Sequence, residues 1–146
     1  MTKSNTLQLN KEEMKHYGYQ VIDAIVEHFD TEHLKKPVAF ASREEMDSIF
    51  NVQTPDQPTS YQEVLEFVMD NVFSNSNIVS HPKSFSFVPG PSNFVSVMAD
   101  ALATGFNVFS GGWATSPAAA ELEIVTMNWL LKLFKFPPKK GGGIFT

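Results

Sequence analysis

Residues 81–136 read HPKSFSFVPGPSNFVSVMADALATGFNVFSGGWATSPAAAELEIVTMNWLLKLFKF, and the fold turns on this stretch. Two helix-like blocks are separated by turns rich in aromatic residues, Gly and Pro. Ser92 is placed to cap the first block, with Phe94, Val97, Met98, Ala101 and Leu102 on its buried side and Gly105 at its end. Ser116-Pro117 opens the second block, a cap followed by Pro at the first helical position. That helix is expected over residues 117–136, stopped by Pro137-Pro138. Leu122, Val125, Trp129, Leu133 and Phe136 form one apolar row, and Ile124, Met127, Leu131 and Phe134 a second. Glu121, Asn128, Lys132 and Lys135 leave only a narrow polar stripe. A helix apolar on two sides is buried between two layers. In a chain of 146 residues, one of those layers is expected from another subunit or from further chain.

Upstream, three capping boxes announce three more helices. Asn10 with Glu13 opens a helix whose apolar face carries Met14, Tyr17, Val21, Ile25 and Phe29, with Leu9 placed to staple onto Met14. Lys15, Gln20, Asp23 and Glu27 fall off that face, and Pro37 bars continuation. Ser42 with Glu45 leads a short helix through Met46, Ile49 and Phe50. Ser60 with Glu63 leads a third, through Val64, Leu65, Val68 and Val72 to about Phe73. His81-Pro82 then forces an extended approach, because a residue before Pro avoids the helical region. Pro89-Gly90-Pro91 is a rigid turn, and Ile144-Phe145-Thr146 reads as the first residues of a strand.

Composition narrows the function classes. Apolar residues are 42% and charged residues 18%, so the chain is globular. Thirteen Phe is a high count and points to surface covered by a partner chain or by further sequence. A net charge of −5 disfavours nucleic acid. No apolar run approaches a membrane span, and the N-terminus has no apolar signal core, so a cytoplasmic protein is expected. The absence of Cys removes thiolate metal sites and thiol nucleophiles, and His28 and His33 lack a metal-ligand spacing. No metal site is expected. Lys83 reads as a solvated lysine rather than an imine-forming one, and Glu121 and Glu123 are not a carboxylate pair. Gly141-Gly142-Gly143 on its own is a weak phosphate-loop signal. His81 can cap or position the segment that follows it. The clusters Phe85/Phe87/Pro89 and Phe109/Trp113 sit in turns flanked by Gly and Pro. On pattern they serve equally as core aromatics or as ligand walls.

The ordered motifs carry a resemblance. His81-Pro82 with Phe85-Ser86-Phe87-Val88-Pro89, then Met98-Ala99-Asp100, then Trp113-Ala114-Thr115-Ser116-Pro117-Ala118 with Glu121-Leu122-Glu123 and Trp129-Leu130, resemble the N-terminal part of the group II pyridoxal-phosphate-dependent amino-acid decarboxylases, closest to the aromatic-L-amino-acid branch. The family's pattern is an HPxFFAYFP-like run, a LAD segment, and WAxSPAxxELE before a helix with a WL pair. The resemblance implies a mostly α chain: the N-terminal helical segment of a type I, aspartate-aminotransferase-like fold, truncated at the start of the large α/β domain. It implies a dimerisation arm over 1–80, pocket loops and interface helices over 81–136, and the beginning of the large cofactor domain over 137–146. It further implies a homodimer, pyridoxal 5'-phosphate as cofactor of the intact enzyme and an L-amino-acid substrate, with neither nucleic acid nor membrane as partner.

By the same resemblance, Phe85, Phe87, Pro89, Phe109 and Trp113 contact substrate. Phe87 stands for the family's usual Tyr, Val88 for a common Phe, Gly90 for a small Thr or Ala, and Gly111 for a frequent Phe. Losing a ring and a hydroxyl enlarges the pocket, enough for a ring the size of indole. The phosphate-holding turn, the His that stacks on the cofactor, the Asp that pairs with its ring nitrogen and the Lys that attaches it all come later in the family. This chain alone is therefore expected to bind no cofactor, to hold no catalytic residue and to be inactive. The alternative reading is a non-catalytic helical interaction module that docks through its last helix.

Overall fold

A computed structural model describes residues 8–85, 88, 90–137 and 141–145. Every regular element among them is helical, and they divide into two units, residues 1–94 and 95–146.

The first unit is built on α1 (Lys11–Thr31), α2 (Arg43–Phe50) and α3 (Tyr61–Phe67). All three capping boxes form as expected. Asn10 Oδ1 accepts from the Glu12 and Glu13 N–H groups, while the Asn10 N–H donates to Glu13 at 2.8 Å. Ser42 with Glu45 and Ser60 with Glu63 repeat the reciprocal bond. Each box satisfies donors that a helix start otherwise leaves open. The Ser42 backbone N–H, and then its side chain, hold the Glu45 carboxyl below the usual glutamate range.

α3 does not stop at Phe67 but widens into a π-helical segment, Val68–Phe73. Side chains within and just after this segment bond back to its carbonyls. Asn71, Asn75 and Ser76 donate to the carbonyls of Phe67, Asn71 and Val72, and Ser74 to that of Asp70. Such back-bonding competes with the regular ladder and ends the helix.

Tyr17 stacks on Tyr61 at 4.1 Å between ring centres, tying α1 to α3. Gln20, expected off the apolar face, instead sits half-buried beside them and donates to Gln62 Oε1 at 2.7 Å. Phe50 meets Phe67 edge-on at 5.6 Å, and Phe29 meets Phe94 at 6.3 Å. Residues 37–39 and 77–78 are laced together by Ile78 N–H to Pro37 O and Ala39 N–H to Asn77 Oδ1.

The second unit holds nearly all of α4 (Phe94–Phe106) and α5 (Pro117–Leu133). Two helix ends differ from expectation. α4 ends not at Gly105 but one residue later, with Asn107 in the left-handed region at φ 49°. Asn tolerates that conformation better than most non-glycine residues. α5 ends at Leu133 rather than near Phe136. Lys135, at φ 59°, donates to Lys132 O, and the Phe136 N–H closes onto Leu131 O at 2.8 Å, the paired bonds of a Schellman cap. Pro117 stands at the first turn as expected, but the Ser116 side chain makes no capping bond.

The buried side of α5 is set by an extended tail. Residues 141–145 run past the row Glu123, Met127 and Leu131, and the Phe145 N–H donates to Glu123 Oε1 at 3.0 Å. A Cβ at Gly141 would lie 2.8 Å from Leu131 Cδ2, and one at Gly143 would lie 2.7 Å from Met127 Sδ. Gly142, between them, meets nothing. Alternate glycines thus face the helix, as the two-residue period of extended chain requires. The tail is extended but pairs with no strand among the described residues.

Burial is scant. Among the described residues only Leu131 and His81 are buried. On the expected buried side of α4, Val97 and Met98 are half-buried while Leu102 is 63% exposed, and on α5 Leu122, Trp129 and Leu133 are all more than half exposed.

Two outcomes follow from this local chemistry. The folded-state depression of the Glu45 titration means that its contribution is present at neutral pH and is lost as pH falls through the folded value, which lies below the ordinary one. Carboxyl NMR should find Glu45 among the last glutamates to protonate on acidification, and Ser42→Ala should raise its midpoint. At the tail, Gly141→Val has to displace buried Leu131 and should cost about 1–3 kcal/mol in denaturant unfolding. Gly142→Ala should stay within about 0.5 kcal/mol.

Candidate substrate wall and its supports

The residues expected to touch substrate fall in both units. Phe85 belongs to the first, Phe109 and Trp113 to the second. Phe87 and Pro89 lie outside the described residues. Phe85 is 92% exposed, Phe109 67% and Trp113 59%. None is a core aromatic within its own unit, so of the two readings left open by pattern, burial within the unit does not support the first.

Phe85 follows a turn that is unusually well held. The His81 N–H donates to Ile78 O at 3.2 Å, and the Ser84 N–H donates to His81 O at 2.8 Å. The His81 ring lies inside the turn, with only 4% of the residue exposed. Its Nδ1 accepts from the Lys83 N–H at 2.9 Å, which assigns the ring proton to Nε2. That Nε2 is buried and meets no partner among the described residues. A buried polar group left unpaired costs about 1–3 kcal/mol.

Next to it, the Ser80 hydroxyl donates to Glu32 Oε2 just past the end of α1, and His28 Nε2 stands 3.4 Å from the same oxygen. The Glu32 side chain is only 13% exposed. This tie joins residues 48 apart in sequence. No short-range pattern marks it, since Glu32 reads as ordinary helix tail.

In the second unit, loop 107–116 carries Phe109 and Trp113. Thr115 is its brace: its hydroxyl donates to Gly112 O at 2.9 Å and lies 3.4 Å from Phe109 O. The Phe109 ring folds over Gly111, where a Cβ would lie 2.7 Å from the ring Cζ. The space expected to open at Gly111 is therefore taken by Phe109.

A cleft of about 560 Å³ also lies in the first unit, with Val38, Phe73 and Ile78 on its apolar lining and His28, Lys35 and Lys36 among its polar groups. It includes none of the residues expected to touch substrate. Among the described residues no three His, Asp or Glu gather as a metal set, and no helix is long and apolar enough to cross a membrane.

Residues 43–146 match the model of the pyridoxal-dependent decarboxylase conserved domain. The chain belongs to this family. Over 143 residues it is 41% identical to the aromatic-L-amino-acid decarboxylase of Bacillus atrophaeus, a match covering 95% of this chain and 29% of that protein. It is 31% identical over 145 residues to tyrosine decarboxylase 1 of Narcissus pseudonarcissus, covering 95% and 28%. Among solved structures, Catharanthus roseus tryptophan decarboxylase in complex with L-tryptophan superposes with a TM-score of 0.81 at 20% identity, over 90% of this chain and 28% of that one. The fold is thus that of the N-terminal helical segment of these decarboxylases. The chain spans under a third of the length of the curated relatives it matches.

The cofactor that the family name implies needs an amine for its aldehyde, and a lysine fills that role when desolvated. Every described lysine is exposed, Lys83 included. The described residues therefore do not fit the cofactor's aldehyde by themselves, and no step on it is assigned to them. What they offer is exposed rings on turns braced by their own hydrogen bonds.

The Phe109 geometry gives a test. In Gly111→Ala the added methyl has to push aside an exposed ring, not a packed one. Stability should change by no more than about 0.5 kcal/mol, while a crystal structure of the variant should show the Phe109 ring turned away from residue 111.

Proposed function

We propose that the complete protein is a pyridoxal-phosphate-dependent decarboxylase acting on an aromatic L-amino acid and releasing CO2 and the amine. The observation that carries this reading is the 41% identity to an aromatic-L-amino-acid decarboxylase along 95% of the chain. When bound, the cofactor supplies the electron sink that makes loss of CO2 feasible. The present chain supplies binding and orientation. Residues 1–80 form a dimerisation arm, 81–136 the pocket loops and interface helices, and 137–146 the approach to the cofactor domain. Phe85, Phe87, Pro89, Phe109 and Trp113 hold the substrate ring against apolar surface.

The exposed apolar rows of α5 support a homodimer, in which a second subunit and the remaining chain cover Leu122, Trp129 and Leu133. Alone, the 146 residues are inactive, because the groups that attach and tune the cofactor come from elsewhere in the intact enzyme. The protein works in the cytoplasm. The same exposed rows also suit a second reading, a helical module that docks on another chain without catalysis.

The test is direct. The full-length protein carrying this chain is supplied with pyridoxal phosphate and an aromatic L-amino acid. Bound-cofactor absorbance and CO2 release are expected, and Trp113→Ala should lower kcat/KM by about 10- to 100-fold. A full-length protein that takes up no cofactor and releases no CO2 from any aromatic amino acid overturns the proposal in favour of the module.

A further inference from the structure

Among the described residues, His81 is the one buried polar side chain, and its two ring nitrogens have different fates. Nδ1 accepts the Lys83 N–H at 2.9 Å, two residues ahead, inside a turn already closed by Ser84 N–H to His81 O. Nε2 is buried and meets no partner among the described residues. On the other side of the turn, Ser80 is pinned to Glu32, so the turn is clamped at residue 80 and braced at residue 81. Phe85, immediately downstream, is almost wholly exposed and makes no ring contact with another aromatic among the described residues. Where its ring stands is therefore decided by the backbone that delivers it, not by packing around it.

We infer that His81 is a positioning residue for the substrate wall. Its Nδ1 holds the Pro82-Lys83-Ser84 turn and so aims Phe85, and its Nε2–H donates to an acceptor oxygen brought by a part of the assembled enzyme outside the described residues. The ring acts through the turn and touches no reacting atom. This rests on the reading of Phe85 as a substrate contact.

Side-chain amides separate the two nitrogens. The Oδ1 of an Asn sits where Nδ1 sits and can accept from the N–H two residues on, as in an Asx turn. A Gln places its amide where Nε2 sits and leaves the turn without its acceptor. In the full-length protein with cofactor, His81→Leu and His81→Gln are expected to lose about 10-fold or more in kcat/KM, mainly as a raised KM, with kcat nearly kept. His81→Asn is expected to recover at least half of that loss on a logarithmic scale. Amide exchange read by mass spectrometry gives an arm independent of activity: protection at the Lys83 N–H should persist in His81→Asn and vanish in His81→Leu and His81→Gln. Recovery by Gln but not Asn overturns the turn-bracing role, as does unchanged KM in all three variants. If the unsubstituted protein releases no CO2, the functional reading fails, and the exchange arm still decides whether His81 braces the turn.

Discussion

Among the described residues apolar surface outruns what those residues cover, and that shortage governs the rest of the structure. α5 shows it most clearly. One of its faces is closed by the chain itself: glycines at 141 and 143 bring a bare extended backbone against Leu131 and Met127, and Glu123 receives the Phe145 N–H. The side chains around that face, Leu122, Ile124, Trp129 and Leu133, stay open to solvent. Each such side chain stabilises by roughly 1.5–3 kcal/mol only when fully buried. Helices whose apolar faces stay uncovered owe their local order to caps and back-bonds, which are abundant here.

That explains which parts were legible in the sequence. The starts of α1, α2 and α3 were readable to the residue, because a capping box is a contract between side chains three apart and needs nothing from the rest of the fold. The ends were less legible. Gly105 looked like the stop for α4, yet Asn107 provides the left-handed residue, and Lys135 does so for α5 against the usual preference. A helix end depends on where the following chain must go, and that is tertiary information. The π-helical widening at Val68–Phe73 was hidden for a related reason: the Asn and Ser side chains that bond back to its carbonyls read equally well as a simple break.

Face assignments failed where neighbours were absent. Leu102 was expected inside from its period, and period alone reports which residues share a face, not whether anything covers it. Gln20 erred in the other direction. Its polarity placed it outside, but Gln62, one residue past the Tyr61 that stacks on Tyr17, offered an amide partner. The family, by contrast, was legible at once, because ordered motifs from His81 to Leu130 survive without any three-dimensional context.

The candidate wall joins these threads. Its aromatic side chains are exposed, so packing does not orient them, and loose rings make poor walls, since a small misplacement of a binding surface is costly to rate. The chain meets that demand through the backbone. Thr115 braces the loop that carries Phe109 and Trp113, and Gly111 gives the Phe109 ring a seat. Glu32, Ser80 and His81 fix the turn that delivers Phe85. Rings delivered by turns that are braced in this way can stand open to solvent without packing around them, because the backbone rather than a core sets where they emerge.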